Sequence, residues 1–441
     1  MPPAVYHVVT LLGALLAPLP IGTNRGLLAL LWMMLSGQLL RTRGGVIPGV
    51  ALLGIPAADV RRAWAALTGA WTSPRLLATW AQIVHQAGQW HPHTYAGYHP
   101  VALDVTAFWR PRLRDCPTTH YHAQAGRALP AIPLGLVARV GSVAGQRLGQ
   151  PLAIVRADPA DPGWMAHLRR LVGAAAPLLD PADVTVTDRG IPVSFLHAAG
   201  IPRYVARLPK KASARRATLP ARAGPGRPCT KGAVVRPLAR TYRGRTVPAT
   251  PSDHVETWAD GEQVVRAEQW TDLVRADARP GSATFTIWAI HHPRYTEPLL
   301  LATNLPVDSS VLWQLYRDRW PVEQLPLAAK QLIGAGRQFV HAPETCQRLP
   351  ELALLAGAVL AYAAATTDPL PTGFWDRHPR RTPGRLRRLL AQQPFPHNAA
   401  LPARIRRKAA PTAHLRTGIA GHRRRPRAAR HTQPSPVTPP T

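Results

Sequence analysis

Apolar residues near the start of the chain predict helices. Two apolar runs occupy residues 5–21 and 27–40. Two prolines and a histidine interrupt the first run, and the second has 14 residues, fewer than the roughly 20 that a helix needs to cross a bilayer. Residues 57–67 and 74–86 carry apolar side chains at helical spacing. We therefore predict a buried, non-membrane helical N-terminal domain over residues 1–98, for which DNA binding and plain packing are equally open roles.

From residue 99 the pattern changes to short runs that alternate or are rich in β-branched residues. The predicted order is three strands, a helix, a strand, a short helix and a fifth strand, at 101–106, 132–140, 152–156, 164–179, 184–187, 192–199 and 204–208. This order is typical of a ribonuclease-H-like core, whose first part we assign to residues 99–208. The predicted fold class is therefore α/β.

A basic segment follows. Residues 209–251 contain eleven Lys or Arg and no acid, which fits both a flexible linker and a surface that lies on phosphates. Lys210 and Lys211 are its candidate DNA contacts. Strand patterns return afterwards, with a possible hairpin between 284–290 and 299–303. We predict a β-rich basic insertion over residues 209–304 that interrupts the core.

Helical patterns resume at 308–335 and 348–366, so the rest of the catalytic core is predicted over residues 305–368. Pro and Arg dominate from 369 to 441, and positions 373–441 hold sixteen basic residues and one acid. Such a composition is typical of disorder. We predict a basic disordered C-terminal tail that binds DNA without sequence preference.

The charge composition of the chain indicates the class of its binding partner. The chain has 441 residues, with 54 Lys and Arg against 23 Asp and Glu, a formal net charge of +31. Such an excess opposes compaction unless a polyanion offsets it, and nucleic acid is the usual polyanion. The three cysteines are odd in number and widely spaced, which favours a reducing, cytoplasmic setting.

Two aspartates lie in predicted strands. Asp104 sits within an apolar strand, where an unpaired charge is costly. Asp188 follows the run 184–187, and the carboxyl end of a strand is where open α/β sheets place their sites. Each aspartate alone is more often a turn cap. Together with a third carboxylate they would suit two Mg²⁺ ions acting on a phosphodiester.

Glu323 belongs to a more specific pattern. Tyr316, Arg319, Glu323 and Lys330 are spaced by three, four and seven residues, so on one continuous helix they share a face. Such a face could bind metal and phosphate. A solvated face with an Arg319–Glu323 ion pair explains the spacing equally well.

These residues resemble the bacterial insertion-sequence transposases of the DDE class, in the group with a Tyr-Arg-Glu-Lys signature and a β-rich insertion. Asp104, Asp188 and Glu323 match its acids, with 83 and 134 residues between them. The resemblance implies two bound Mg²⁺, replaceable by Mn²⁺, and phosphate contacts from the other three signature residues. It also implies double-stranded DNA as substrate and a homodimer on paired transposon ends.

The resemblance further implies an insertion-domain Trp that stacks on a flipped base. Trp288 is the candidate and Trp258 and Trp270 are rivals, although a core role is more usual for any one of them. Two prolines depart from the pattern. If the helix begins at Pro321, the single face holds only in part, and Pro326 would bend the segment before Lys330.

The expected activity is cut-and-paste transposition in the bacterial cytoplasm, at the nucleoid. A related nuclease without strand transfer and a transposase-derived DNA-binding protein without activity remain alternatives. The three acids argue against the second alternative.

Overall fold

The computed structural model describes residues 1–220, 229–278, 281–396 and 401–406. Within these ranges the helices are α1 (Pro3–Leu16), α2 (Thr23–Leu35), α3 (Gln38–Arg41), α4 (Val46–Ala51), α5 (Ala57–Ala66), α6 (Ser73–Gln86), α7 (Trp164–Ala175), α8 (Val193–Ala198), α9 (Ser309–Arg317), α10 (Trp320–Leu327), α11 (Pro343–Thr366) and α12 (Pro383–Ala391). The strands are β1 (His91–Pro92), β2 (His99–Trp109), β3 (Thr119–His122), β4 (Arg127–Val143), β5 (Gln146–Arg156), β6 (Asp183–Thr187), β7 (Tyr204–Arg207), β8 (Ala214–Arg216), β9 (Val234–Val235), β10 (Arg240–Tyr242), β11 (Arg245–Val247), β12 (His254–Asp260), β13 (Gln263–Val274), β14 (Phe285–His291) and β15 (Leu299–Thr303). The chain is a mixed α/β protein, as predicted.

One mixed sheet runs through most of the chain. Its principal strands lie side by side in the order β5, β4, β2, β6, β7, β15, β14, β13, β12. The neighbours β5, β4 and β2 are antiparallel, β6 and β7 run parallel to β2, and β15 returns antiparallel to β7. Every strand predicted over residues 99–208 is confirmed, as are the helix after β5 and the short helix after β6.

Helices cover both faces of the sheet because its central strands are apolar on both sides. Alternate residues of β2 enter different cores. Val101 and Leu103 pack with α7 and α8, whereas Ala102 and Phe108 face α10 and α11. The second of these cores also contains α1 to α6. The predicted N-terminal helices therefore form, and they share a hydrophobic core with the sheet.

The predicted hairpin is confirmed, because β14 pairs with β15 in antiparallel register. β15 also pairs with β7, so the strands of the predicted insertion extend the central sheet. Within the described residues, only β10 and β11 form a separate two-stranded sheet. The strands of the predicted insertion are thus joined to the rest of the sheet through main-chain hydrogen bonds.

The helix α11 has the length and composition of a membrane span, and it meets this test alone among the described helices. In this fold, 89% of its apolar window is buried against other elements. The helix predicted over 348–366 is confirmed, and it lies in the core.

The C-terminal prediction is wrong in part. Thr382 caps α12 by accepting a hydrogen bond from the Arg385 N–H, and Leu386 and Leu390 are fully buried in the core beside α11. Phe395, Leu401 and Ile405 join the same core. Residues 383–396 and 401–406 are therefore folded, since the apolar side of a basic helix finds a partner surface. The disorder predicted for 407–441 lies outside the described residues.

Candidate functional site

Two of the predicted acids stand at neighbouring positions on parallel strands. Leu103 of β2 pairs with Thr187 of β6, so the next residues, Asp104 and Asp188, follow side by side. Residues in adjacent register point to the same sheet face. For these two acids it is the face covered by α10, because Ala102 on β2 contributes to that core.

Glu323 reaches this face from α10. The first turn of α10 contains Pro321 and Glu323. Proline is favoured there because its missing N–H leaves no intrahelical bond unmade. The helix lies against β2, β4 and β5. The structure thus brings Asp104, Asp188 and Glu323 into one electrostatic neighbourhood, in which the other two carboxylates act on Asp104.

The single-helix face predicted for the signature residues is wrong. α9 ends at Arg317 and α10 begins at Trp320, so Tyr316 lies on one helix and Glu323 on the next, with Arg319 as the N-cap residue of α10. Proline at the start of α10 cannot continue the preceding helix. Tyr316 and Arg319 nevertheless remain close, with the guanidinium carbon 5.9 Å from the Tyr316 ring centre.

Strand β12 holds α9 in place. The Ser309 N–H at the start of α9 donates to Glu256 Oε1 on β12 over 2.8 Å, where a carboxylate also complements the helix dipole. Farther along, Trp313 Nε1 donates to Asp260 Oδ2 over 3.2 Å. These contacts fix the helix that carries Tyr316.

Asp104 is held in an unfavourable electrostatic environment. Burial is the main cause that raises its pKa from 3.8 to about 6. Arg319 and the Val105 N–H oppose the rise, whereas Glu323 and Asp188 add to it. Within the described residues, Asp104 has no ion-pair partner at salt-bridge distance. Such a carboxylate has a strong tendency to take up a cation or a proton.

The other two acids already have basic partners. Asp188 Oδ1 accepts from Arg207 Nη1 at 3.2 Å and from the Tyr316 hydroxyl at 3.4 Å. Burial raises the pKa of Asp188, but the Arg189 N–H and the guanidinium groups of Arg319 and Arg207 outweigh it, so the net pKa lies below its ordinary value.

Glu323 forms an ion pair with Arg319 over 2.5 Å, at i, i+4 spacing. The ion pair that the sequence spacing suggested is therefore present. It lies beside Asp104 and Asp188, since Arg319 also acts on both of these acids. Arg319 is largely buried. The Arg319–Glu323 ion pair and the cluster of three acids thus occur together in the same site.

Lys330 lies at the Asp104 end of the site. After Pro326 the helix passes into a turn of π-helix, Ala328–Leu332, which directs the ammonium inward. Lys330 Nζ donates to Thr106 Oγ1 over 2.8 Å and lies 4.9 Å from the Trp109 ring centre. Burial lowers the pKa of Lys330 to about 8, although Asp104 opposes this effect.

A cleft of about 660 Å³ opens beside Asp188. Its lining includes seven cationic side chains and one acid, and the cations are Arg147, Arg189, Arg207, Lys210, Arg294, Arg317 and Arg319. Trp320 and Tyr295 also line it, with 60% and 57% of their surface exposed. We call this cavity the basic cleft.

The sequence reasoning missed most of the basic cleft. Of its cations it had named only Lys210 and Arg319 as DNA contacts. The others come from strand ends, from a turn and from the end of α9, and the fold brings these segments together. Arg189, directly after Asp188, was the one further cation with a visible local signal.

The two predicted lysines differ. Lys210 lines the cleft and forms an ion pair with Glu297, which lines it too. Lys211 is exposed and does not contribute to the lining.

The predicted role of Trp288 does not fit its placement. Trp288 is 2% exposed within a core beneath α9, so its ring has no free face for a base. Trp270 is 1% exposed and donates to the Thr250 and Pro251 carbonyls. Trp258 donates to Ser309 Oγ over 2.8 Å. All three contribute to packing.

The donor set suits a hard divalent cation, because three carboxylates converge and one of them lacks a cationic partner. Among the described residues, however, no three His, Cys, Asp or Glu side chains are arranged as a formed metal site. Two of the acids form ion pairs instead, Glu323 with Arg319 and Asp188 with Arg207. A metal would therefore have to replace these guanidinium contacts.

No protein-family model and no curated protein matches this chain. Its functional interpretation rests on the arrangement of its own residues.

Proposed function

We propose that the protein is a DDE-type DNA transposase that cuts at the ends of an insertion sequence and joins them to target DNA. The observation that carries this proposal is the convergence of Asp104, Asp188 and Glu323 beside the basic cleft. Three carboxylates next to a strongly cationic surface suit chemistry on a phosphodiester, whose negative charge must be both bound and offset.

The sheet order supports a ribonuclease-H-like core. Three antiparallel strands in the order β5, β4, β2 are followed by β6 and β7, both parallel to β2. With β2 as the first strand of such a core, this is the order 3-2-1-4-5. The first acid then lies on the first strand and the second acid directly after the fourth. The strands from 209 to 304 are the β-rich insertion in this interpretation.

Each residue has a role in the proposed reaction. Asp104, Asp188 and Glu323 would hold two Mg²⁺, and the bound ions would activate the attacking oxygen and stabilise the leaving one. Arg319 and Tyr316 would bind a phosphate at the transposon end, and Arg207 would bind its neighbour. Lys330, held by Thr106, keeps positive charge beside Asp104.

Double-stranded DNA is the proposed partner. The cleft and the net charge of +31 favour a long polyanion, and a homodimer would hold two transposon ends together. The exposed faces of Trp320 and Tyr295 offer stacking surfaces for bases.

The test incubates the full chain with Mg²⁺ and a duplex that carries the terminal inverted repeat from the DNA flanking the gene. Cleavage followed by joining supports the proposal. Cleavage alone would indicate a nuclease, and binding alone an inactive DNA-binding protein. Asp104→Ala and Glu323→Ala should abolish cleavage and keep DNA binding. Asp277→Ala removes an exposed acid outside the cleft and should cut normally.

A further inference from the structure

Asp318 lies at the break between α9 and α10, and its side chain is fully buried. The hydroxyl of Tyr95 donates to its Oδ2 over 2.7 Å, and His93 Nδ1 lies 2.5 Å from the same oxygen. Arg147 Nη1 lies 3.4 Å from Oδ1. A buried carboxylate with this set of partners is costly to build and strongly sensitive to the loss of one partner.

The partners belong to separate parts of the chain. His93 and Tyr95 follow β1, whereas Arg147 is the second residue of β5. Asp318 thus ties the junction of α9 and α10 to two elements at the edge of the sheet. Beside this carboxylate, the Asp318 N–H donates to the Gln314 carbonyl and the Arg319 N–H to the Tyr316 carbonyl, and Arg317 forms an ion pair with Asp260.

Residues close to Asp318 in sequence line the basic cleft. Tyr316 precedes Asp318 by two positions, Arg319 follows it directly, and both line the basic cleft. Arg147 lines the cleft as well, with half of its side chain exposed. The buried carboxylate of Asp318 therefore contacts the guanidinium of Arg147 and directly precedes Arg319 in the chain.

We propose that Asp318 is a positioning residue that sets the spacing between Arg147 and Arg319, and thereby the place of a DNA phosphate relative to Asp188 and Glu323. This inference rests on the proposed function. Asp318 itself faces away from solvent and would not contact DNA. Its effect passes through two guanidinium groups that come from different elements.

The test replaces Asp318 with Asn, which keeps the shape of the side chain and removes its charge. DNA affinity is measured by fluorescence anisotropy in EDTA, and the cleavage rate is measured in single turnovers at saturating DNA. We expect the rate to fall on the order of 100-fold, as for a reacting group misplaced by about 1 Å. The dissociation constant for DNA should change by less than about fivefold, since most cleft cations remain in place.

The matched control is Asp183→Asn. Asp183 is 1% exposed and is paired with Arg139 at the opposite end of β6 from Asp188. Its replacement should lower Tm to a similar extent, yet each correctly folded molecule should cut at the normal rate. A purely structural role for Asp318 would give the same result as this control.

Tyr95→Phe removes one hydrogen bond to Asp318 and no charge, so it remains informative if Asp318→Asn does not fold. We expect its rate at saturating DNA to fall about fivefold, the equivalent of one ordinary hydrogen bond. In a double-mutant cycle, Asp318→Asn and Arg147→Gln should be non-additive.

Two failures can be told apart. If wild-type protein binds the duplex but never cuts it, the proposed function is wrong. If wild-type protein cuts and Tyr95→Phe retains the full rate, while Asp318→Asn either does the same or fails to fold, the positioning role is wrong and the proposed function stands.

Discussion

The metal-free protein should become more stable when Asp104 is replaced by Asn. The carboxyl of Asp104 is buried, has no ion-pair partner among the described residues, and feels both Glu323 and Asp188. Its pKa is about 6 in the folded chain and 3.8 as its ordinary value. Folding thus works against the ionised form, a cost that an enzyme accepts for a group that binds a cation.

The magnitude follows from linkage. Well below pH 4 the carboxyl is protonated in both the folded and the unfolded chain, so it costs no stability. Between about pH 4 and 6 the unfolded chain releases its proton first, and the folded state loses stability. The two pKa values lie about two pH units apart, and at about 1.4 kcal/mol per unit the loss above pH 6 reaches about 3 kcal/mol.

The assay is thermal unfolding in EDTA at pH 4 and pH 8, with Asp188→Asn as the matched control. For a chain of this size, about 3 kcal/mol corresponds to a rise in Tm of about 3–4 °C. Asp104→Asn should show this full rise at pH 8 and only a small part of it at pH 4. Asp188→Asn should show no rise, because the folded state lowers the pKa of Asp188 and so favours its ionised form.

A wild-type Tm for Asp104→Asn at pH 8, or an equal rise in its Tm at both pH values, would contradict this prediction. Added Mg²⁺ gives a further check. A cation that binds only the folded chain raises Tm by mass action, and this rise should be present in the wild type and strongly reduced in Asp104→Asn.

Three further predictions concern DNA contacts and the C-terminal segment. Leu386→Ala and Leu390→Ala should each destabilise the fold by about 2–5 kcal/mol, as for other buried leucines; an unchanged Tm would mean that α12 does not pack as described. Trp320→Ala should weaken binding to single-stranded DNA by about 1–3 kcal/mol, whereas Trp288→Phe should not alter binding; equal effects would refute the assignment of exposed and buried rings. Removing residues 407–441, which contain eight Lys or Arg, should reduce the slope of log K against log salt; an unchanged slope would show that this segment does not touch phosphate.

Much of the fold could be predicted because its signals are local. The alternation in 101–106 and the β-branched run 184–187 depend on residues within one strand, and strands form there. The error at α12 has the opposite cause. Leu386 and Leu390 have helical spacing, but prolines and arginines around them dominate the composition, and the surface that buries them belongs to distant helices.

The same distinction between local and long-range signals applies to the site. The identity of the three acids could be predicted from the sequence, but their convergence could not. The acids could be named because each stands out in its own segment: Asp104 in an apolar strand, Asp188 at the end of one, Glu323 in a four-residue spacing. Their convergence depends on the parallel register of β2 with β6. That register depends on hydrogen bonds between segments about 80 residues apart, so it has no local pattern.

At the break near Pro321, a local sequence rule determines where the helices end and begin, and a tertiary contact determines how they are oriented. Proline chemistry alone predicts that one helix ends before Trp320 and another begins. It does not predict the angle between the two helices, which decides whether Tyr316 and Arg319 face the same cleft. The buried Asp318 supplies this information through contacts with Tyr95 and Arg147. Tyr316, Arg319 and Glu323 can therefore lie close together without a continuous helix. Tertiary contacts at Asp318 orient the two helices, whereas in a single helix the periodicity alone would align the three side chains.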